Sequence, residues 1–192
     1  MKQTHTENDD GVKYRAIVAD PPWAFRNVKT GGSMTSGAAQ HYPTMSVDDI
    51  MAMPVRAIAD PNSVLFLWYP TSFNTEALDV ARAWGYRHVT TLYWVKSGRK
   101  LGLGFWFRNK VEPCLFCTRG KVRAFRSSHK NVIVARATTH SKKPSAFWRT
   151  INPILDEHNL SPRIELFCRG KPRRGWDGYG NECVDGVDIY DI

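Results

Sequence analysis

The run YRAIVA, Tyr14–Ala19, constrains the fold more than any other stretch. So short an apolar segment, bounded by turn signals, makes a buried strand and not a useful helix. It ends on Asp20, Pro21, Pro22 and Trp23. The pattern recurs in SVLFLWY (Ser63–Tyr69), HVTTLYWVK (His88–Lys96), VEPCLFCTRG (Val111–Gly120), NVIVA (Asn131–Ala135) and RIELFCRG (Arg163–Gly170). Between these strands lie helical patterns. SVDDIMAM (Ser46–Met53) opens on an N-cap serine with acids in its first turn. FNTEALDVARAWG (Phe73–Gly85) closes on glycine, and Lys143–Asn159 is a helix that Pro153 is expected to bend or reset. Strands alternating with helices predict an α/β fold, a mostly parallel sheet with helices on both faces. Residues 24–45 are rich in Gly, Ser and Thr and predict a long loop directly after the first strand.

The chain has 192 residues, enough for one domain with a sizeable core. Residues 1–12 are expected as a disordered lead-in and 13–192 as a single domain. No apolar run approaches the ~20 residues of a membrane-spanning helix. The polar, acidic start lacks the apolar centre of a signal peptide, so a cytoplasmic location, in a bacterium or a phage-infected host, is expected. Four scattered cysteines suit a reducing compartment and make no disulfide framework. The net charge of +9 is concentrated: Arg87–Arg136 holds 12 Lys/Arg against one acid, Glu112, and the remainder is nearly neutral. Such a footprint points to a polyanion, and a membrane surface is disfavoured because the segment lacks amphipathic-helix spacing.

Ligands of open α/β sheets bind beyond the carboxyl ends of the strands, where Asp20 and Arg169 stand. The tetrapeptide DPPW suits one kind of chemistry. An exocyclic amine on an aromatic ring, such as adenine N6, is a poor nucleophile because its lone pair is delocalised. Two rigid acceptors that take its N–H groups draw the nitrogen toward tetrahedral geometry. Asp20 offers a carboxylate and Pro21 a carbonyl, while Pro21 and Pro22 fix φ and remove competing N–H donors. Trp23 is expected to stack a flipped base, worth roughly 1–3 kcal/mol. Catalysis would then rest on positioning and preorganised electrostatics, with no covalent intermediate.

DPPW resembles the [DNS]PP[YFW] signature of amino-methyltransferases. Together with HYPTMSVDDI downstream, it is similar to the MTA-seventy family of S-adenosylmethionine-dependent adenine-N6 methyltransferases, in its bacterial or phage form. The resemblance runs over residues 14–184 with the motifs in family order. It implies a Rossmann-like methyltransferase fold in circularly permuted order, catalytic strand first and cofactor strand late. It implies S-adenosylmethionine as cofactor and nucleic acid as substrate.

The resemblance also assigns residues. Asp20, Pro21, Pro22 and Trp23 form the catalytic tetrapeptide, with Asp20 also touching the cofactor. Tyr42 in QHYPTM would cover the methionine chain or the base. In GLGFWFRNKVEPCLF, Trp106 and Asn109 would contact substrate. Glu112 there is either a partner for Arg108 or Arg119 or a pocket residue. Lys143 in HSKKPSAF would pair with the methionine carboxylate. Glu165 would orient neighbouring groups, Arg169 would reach the ribose or carboxylate, and Asn181 and Glu182 would bond the ribose hydroxyls. The chain departs from the eukaryotic pattern in carrying GKPRR where that form has His-Asn, and Glu182 where it has an amide.

CLFC (Cys114–Cys117) is disfavoured as a zinc half-site, since no second CxxC exists and the two thiols point to opposite faces of a strand. Adenine N6 lies inside a duplex, so the base must be flipped or the strand single. The basic segment, interleaved with Trp94, Phe105, Trp106, Phe107 and Phe125, is expected to grip a strand. DNA is favoured over RNA. Cytosine N4 or a protein side-chain amide as acceptor, and a non-catalytic nucleic-acid-binding partner, are the alternatives; an oligomer or a partner subunit is compatible with all of them.

Overall fold

The computed structural model describes residues 11–24, 44–98, 106–126, 128–137 and 142–191. Most of the expected lead-in and of the loop over 24–45 lies outside these residues. In chain order the elements are β1 (Tyr14–Ala19), α1 (Val47–Ala52), α2 (Val55–Ile58), β2 (Ala59–Trp68), a 3-10 turn (Thr71–Phe73), α3 (Asn74–Ala83), β3 (Arg87–Ser97), β4 (Val111–Arg119) and β5 (Val132–Arg136). They continue with α4 (Ser145–Glu157), β6 (Arg163–Leu166), β7 (Arg169–Gly170), β8 (Asp177–Tyr179) and β9 (Glu182–Cys183).

Seven strands form one sheet in the order β5-β3-β4-β2-β1-β6-β8, and β7 pairs with β9 separately. Within that sheet β4 runs antiparallel to both neighbours and the other pairings are parallel. The carboxyl ends of β1, β2, β3, β5 and β6 therefore share one edge with the start of β4. β1 is buried along nearly its whole length because it is central and both faces are covered.

One face packs against α1 and α3, with Ile17, Leu65, Leu67, Leu115 and Cys117 meeting Ile50, Val80 and Trp84. On the other face α4 lays Phe147, Trp148, Ile151 and Leu155 over Val18, Phe66, Trp68 and Cys114. Fully burying a side chain such as Phe147 stabilises by about 1.5–3 kcal/mol. That apolar contact explains why α4 continues through Pro153 and is not reset there.

Local signals explain the boundaries. The Ser46 hydroxyl oxygen accepts from Asp49 N–H at 3.1 Å and caps α1. α3 ends as Gly85 takes φ +84° and Tyr86 N–H reaches the Ala81 carbonyl at 2.9 Å, a Schellman-type stop. Phe167, at φ +62°, turns the chain out of the sheet, so the strand expected to reach Gly170 stops at Leu166. The Gly/Trp-rich tail supplies two short strands, β8 and β9, that its composition hides. Among the described residues, no helix is long and apolar enough to cross a membrane.

Candidate active site

Asp20 leaves β1 at the shared strand edge, and four charged side chains meet there. Lys143, two residues ahead of α4, places its ammonium 2.8 Å from Asp20 Oδ2 and 3.3 Å from Glu112 Oε2. Glu112, at the start of β4, also pairs with Lys96 at the end of β3. Asp20, Lys143, Glu112 and Lys96 thus form one chain of alternating charge. Lys143 is only 13% exposed in its side chain, Asp20 33% and Glu112 26%. The Lys143 ammonium also lies 5.2 Å from the centroid of the Trp68 ring, whose buried N–H has no hydrogen-bond partner among the described residues.

Burial pushes the Asp20 carboxyl above its ordinary value; Lys143 opposes this without cancelling it, and Glu112 adds to the rise. Burial would also raise Glu112, but Lys143 and Lys96 outweigh it and hold that carboxyl below the usual range. For Lys143 burial favours the neutral amine, yet Asp20 and Glu112 together raise its value. Both carboxylates keep the ammonium charged. Glu112 thus pairs with Lys143 and Lys96 at this edge, while Arg119 lies at the opposite end of β4, donating to the Arg56 and Ala59 carbonyls.

The Asp-Pro-Pro turn is fixed from several sides. Trp23 N–H donates to the Pro21 carbonyl at 2.9 Å, and Met45 N–H donates to the Pro22 carbonyl at 2.8 Å. One acceptor site on Pro21 is thus already used by the turn itself, which the loss of N–H groups at Pro21 and Pro22 does not prevent. The expectation for Trp23 is corrected. Its indole is 4% exposed, donates to the Trp68 carbonyl at 3.0 Å and packs 5.6 Å from Phe73. Burial among core side chains leaves no face for a base, so Trp23 anchors the turn to the core.

β6 lies directly beside β1, with Glu165 opposite Val18. Burial raises the Glu165 carboxyl, and Arg173, 3.4 Å away, opposes the rise. Arg169 and Glu182 are paired in β7–β9, and the charge of Arg169 is felt at Asp20. Asn181 and Glu182 are exposed on that segment. Lys143 stands on Asp20 and Glu112 here, where the resemblance assigns it to a methionine carboxylate. Trp106 is 93% exposed, and the Asn109 side-chain oxygen accepts from Thr71 at 3.3 Å. Tyr42 lies outside the described residues.

The described residues of the basic segment do not form one surface. β3 and β4 are antiparallel, so Arg87 and Arg119 lie at the far end of the sheet while Lys96 lies beside Glu112. Trp94 is a core residue. Cys114 and Cys117 sit in different core clusters on opposite faces, and burial pushes the Cys117 thiol up to about 12. Lys96 had no motif to mark it; the lone acid Glu112 called for a cation, and only the strand pairing selects which.

A central strand ending on Asp-Pro-Pro, beside a strand from late in the chain, places the molecule in the class of Rossmann-like α/β methyltransferases. The sequence profile of the MT-A70 family, the MTA-seventy family of the motif resemblance, matches residues 14–182, and the chain belongs to that family. An N(6)-adenosine-methyltransferase MT-A70-like protein of Drosophila melanogaster is 30% identical over 93% of this chain and 28% of its own length. The N(6)-adenosine-methyltransferase catalytic subunit METTL3 of Homo sapiens is 27% identical over 93% of this chain and 30% of its own. The type II methyltransferase M.MunI of Mycoplasma sp is 26% identical over 90% of this chain and 79% of its own. The chain thus spans under a third of those two animal relatives and most of the mycoplasmal one.

Methyltransferases of this family use S-adenosylmethionine as methyl donor, and the donor set fits it. Its amino-acid end carries both charges, and the strand edge offers both: Asp20 and Glu165 as carboxylates, Lys143 and Arg169 as cations. The buried Trp68 N–H adds a donor beside Lys143 that has no partner among the described residues.

Proposed function

We propose that this chain transfers a methyl group from S-adenosylmethionine to adenine N6 in nucleic acid, with DNA preferred. The observation that carries the reading is Asp20, held at the sheet edge on a rigid turn with one carboxylate oxygen on Lys143. When bound, S-adenosylmethionine supplies a methyl group on a positively charged sulfur. The chain's own part is to prepare the amine. Asp20 Oδ1 accepts one N6–H, and the second acceptor site of the Pro21 carbonyl takes the other. Lys143 favours the ionised form of Asp20 against its burial, the form that accepts and does not donate. In this reading Arg169 and Lys143 would take the methionine carboxylate, and Glu182 with Asn181 the ribose hydroxyls. Trp106 and Phe107, 93% and 88% exposed, offer free aromatic faces to bases in place of the buried Trp23.

The DNA preference is supported by the similarity to a type II methyltransferase, M.MunI, beside the adenosine methyltransferases. The test is incubation of the purified chain with labelled S-adenosylmethionine and single-stranded DNA, duplex DNA or RNA, followed by nucleoside analysis. N6-methyladenine from DNA is the expected product. Label in RNA alone would refute the DNA preference, label in N4-methylcytosine the adenine assignment, and none in any polymer the activity.

A further inference from the structure

We infer that Lys96 is a positioning residue for the proposed reaction, acting on Asp20 through Glu112 and Lys143. The inference rests on the catalytic role proposed for Asp20.

Lys96 is a built feature of the site. Its backbone N–H donates to the Lys110 carbonyl at 2.8 Å, tying the end of β3 to the chain leading into β4. Its ammonium lies 5.1 Å from the centroid of the Trp94 ring, and Trp94 is itself pinned by an N–H donated to the Ala135 carbonyl at 3.0 Å. Across the strands Trp94 is opposite Glu112, so Lys96 meets Glu112 on the diagonal and forms an ion pair with it. Glu112 has a second cation in Lys143, 3.3 Å away, which is also the partner of Asp20 at 2.8 Å.

One ammonium between two carboxylates cannot serve both fully. Lys96 neutralises Glu112 from the far side, which leaves Lys143 to Asp20 and screens Asp20 from a like charge. Without Lys96, Glu112 draws on Lys143, and its bare charge disfavours ionised Asp20. The other groups that act on Asp20 are Glu165 from β6, which opposes its ionisation, Arg169 from β7, which favours it, and the Cys114 thiol of β4. Glu112 in turn meets the cations Lys96 and Lys143 and, as a like charge, Asp20. Lys96 touches neither Asp20 nor the place of the reacting amine, so its effect is one of charge and position.

The test is Lys96→Gln, with Lys96→Arg as the conservative control. Moving the acid limb of kcat up by about one pH unit lowers kcat about tenfold on that limb, since one unit is a tenfold change in ionised fraction. On the alkaline side, kcat returns to within about twofold of the parent. Lys96→Arg is expected to restore the parent profile, and the KM for S-adenosylmethionine to change little in both variants. Carboxyl-carbon NMR of Asp20 and Glu112 follows both titrations without any turnover, and both are expected to move up in Lys96→Gln. A loss that is equal at every pH and not restored by arginine, or an Asp20 titration that does not move, overturns the inference. If the parent chain transfers no methyl group, the proposed reaction falls while the Asp20 titration still decides the role of Lys96.

Discussion

Replacing Lys143 by Met removes the one cation that Asp20 and Glu112 share while keeping an unbranched stem. Breaking a buried ion pair from one side costs about 3–5 kcal/mol, because the remaining charge is stranded. Here Glu112 keeps Lys96, so Asp20 alone is stranded. Asp20 is one-third exposed, and solvent screens part of the loss, which brings the expected destabilisation near pH 8 to about 2 kcal/mol. The pH dependence has a definite sign. Burial already raises Asp20 above its unfolded value, so its stability contribution is complete below the unfolded value and drains away as pH rises through the folded one. Removing Lys143 raises the folded value further, so the deficit relative to the parent grows with pH and shrinks on acidification. Urea unfolding of both proteins at matched pH, followed by the fluorescence of the seven tryptophans, measures the difference directly. A variant as stable as the parent near pH 8, or a deficit that does not shrink at pH 5, would refute the ion-pair reasoning.

Asp20→Asn should fold normally and lose methyl transfer by at least about a hundredfold, the scale for removing one preorganised group at a reacting centre; turnover near the parent rate would sink the acceptor role. Trp23→Ala should cost about 3–5 kcal/mol, whereas Trp23→Phe, which loses chiefly the N–H bond to Trp68, should cost about 1–2 kcal/mol, both read by thermal or urea unfolding. Should Trp23→Ala leave stability intact while weakening substrate binding, the indole would be a base platform after all. Gly120→Ala is expected to destabilise strongly, because φ is +64° and a Cβ there would stand 2.0 Å from the Pro61 carbonyl oxygen; unfolding at the parent urea midpoint would contradict that geometry.

Much of the site was legible because chemistry and local structure coincide at Asp20. An apolar run short enough to be a strand must end somewhere, and two prolines fix where. The same reading extends to Ser46 and Gly85, whose capping roles depend only on neighbours in the chain. It fails at Trp23, where an aromatic after a turn is equally suited to solvent, substrate or core, and packing against Phe73 decides for the core. Pro153 misleads in the opposite direction: its missing N–H argues for a break, and the buried face of α4 outweighs it.

By itself, the sequence determined the strands β1 to β6, that Asp20 ends the first of them on a rigid turn, and that positive charge gathers between Arg87 and Arg136. These are properties of neighbours along the chain. Only the tertiary structure decided how that charge is divided. The antiparallel course of β4 carries Arg119 to one end of the sheet and returns Glu112 to the other, where it meets Lys96 and shares Lys143 with Asp20. A long-range ion pair depends on strand order and register, and both are set by how two apolar faces pack on a shared sheet.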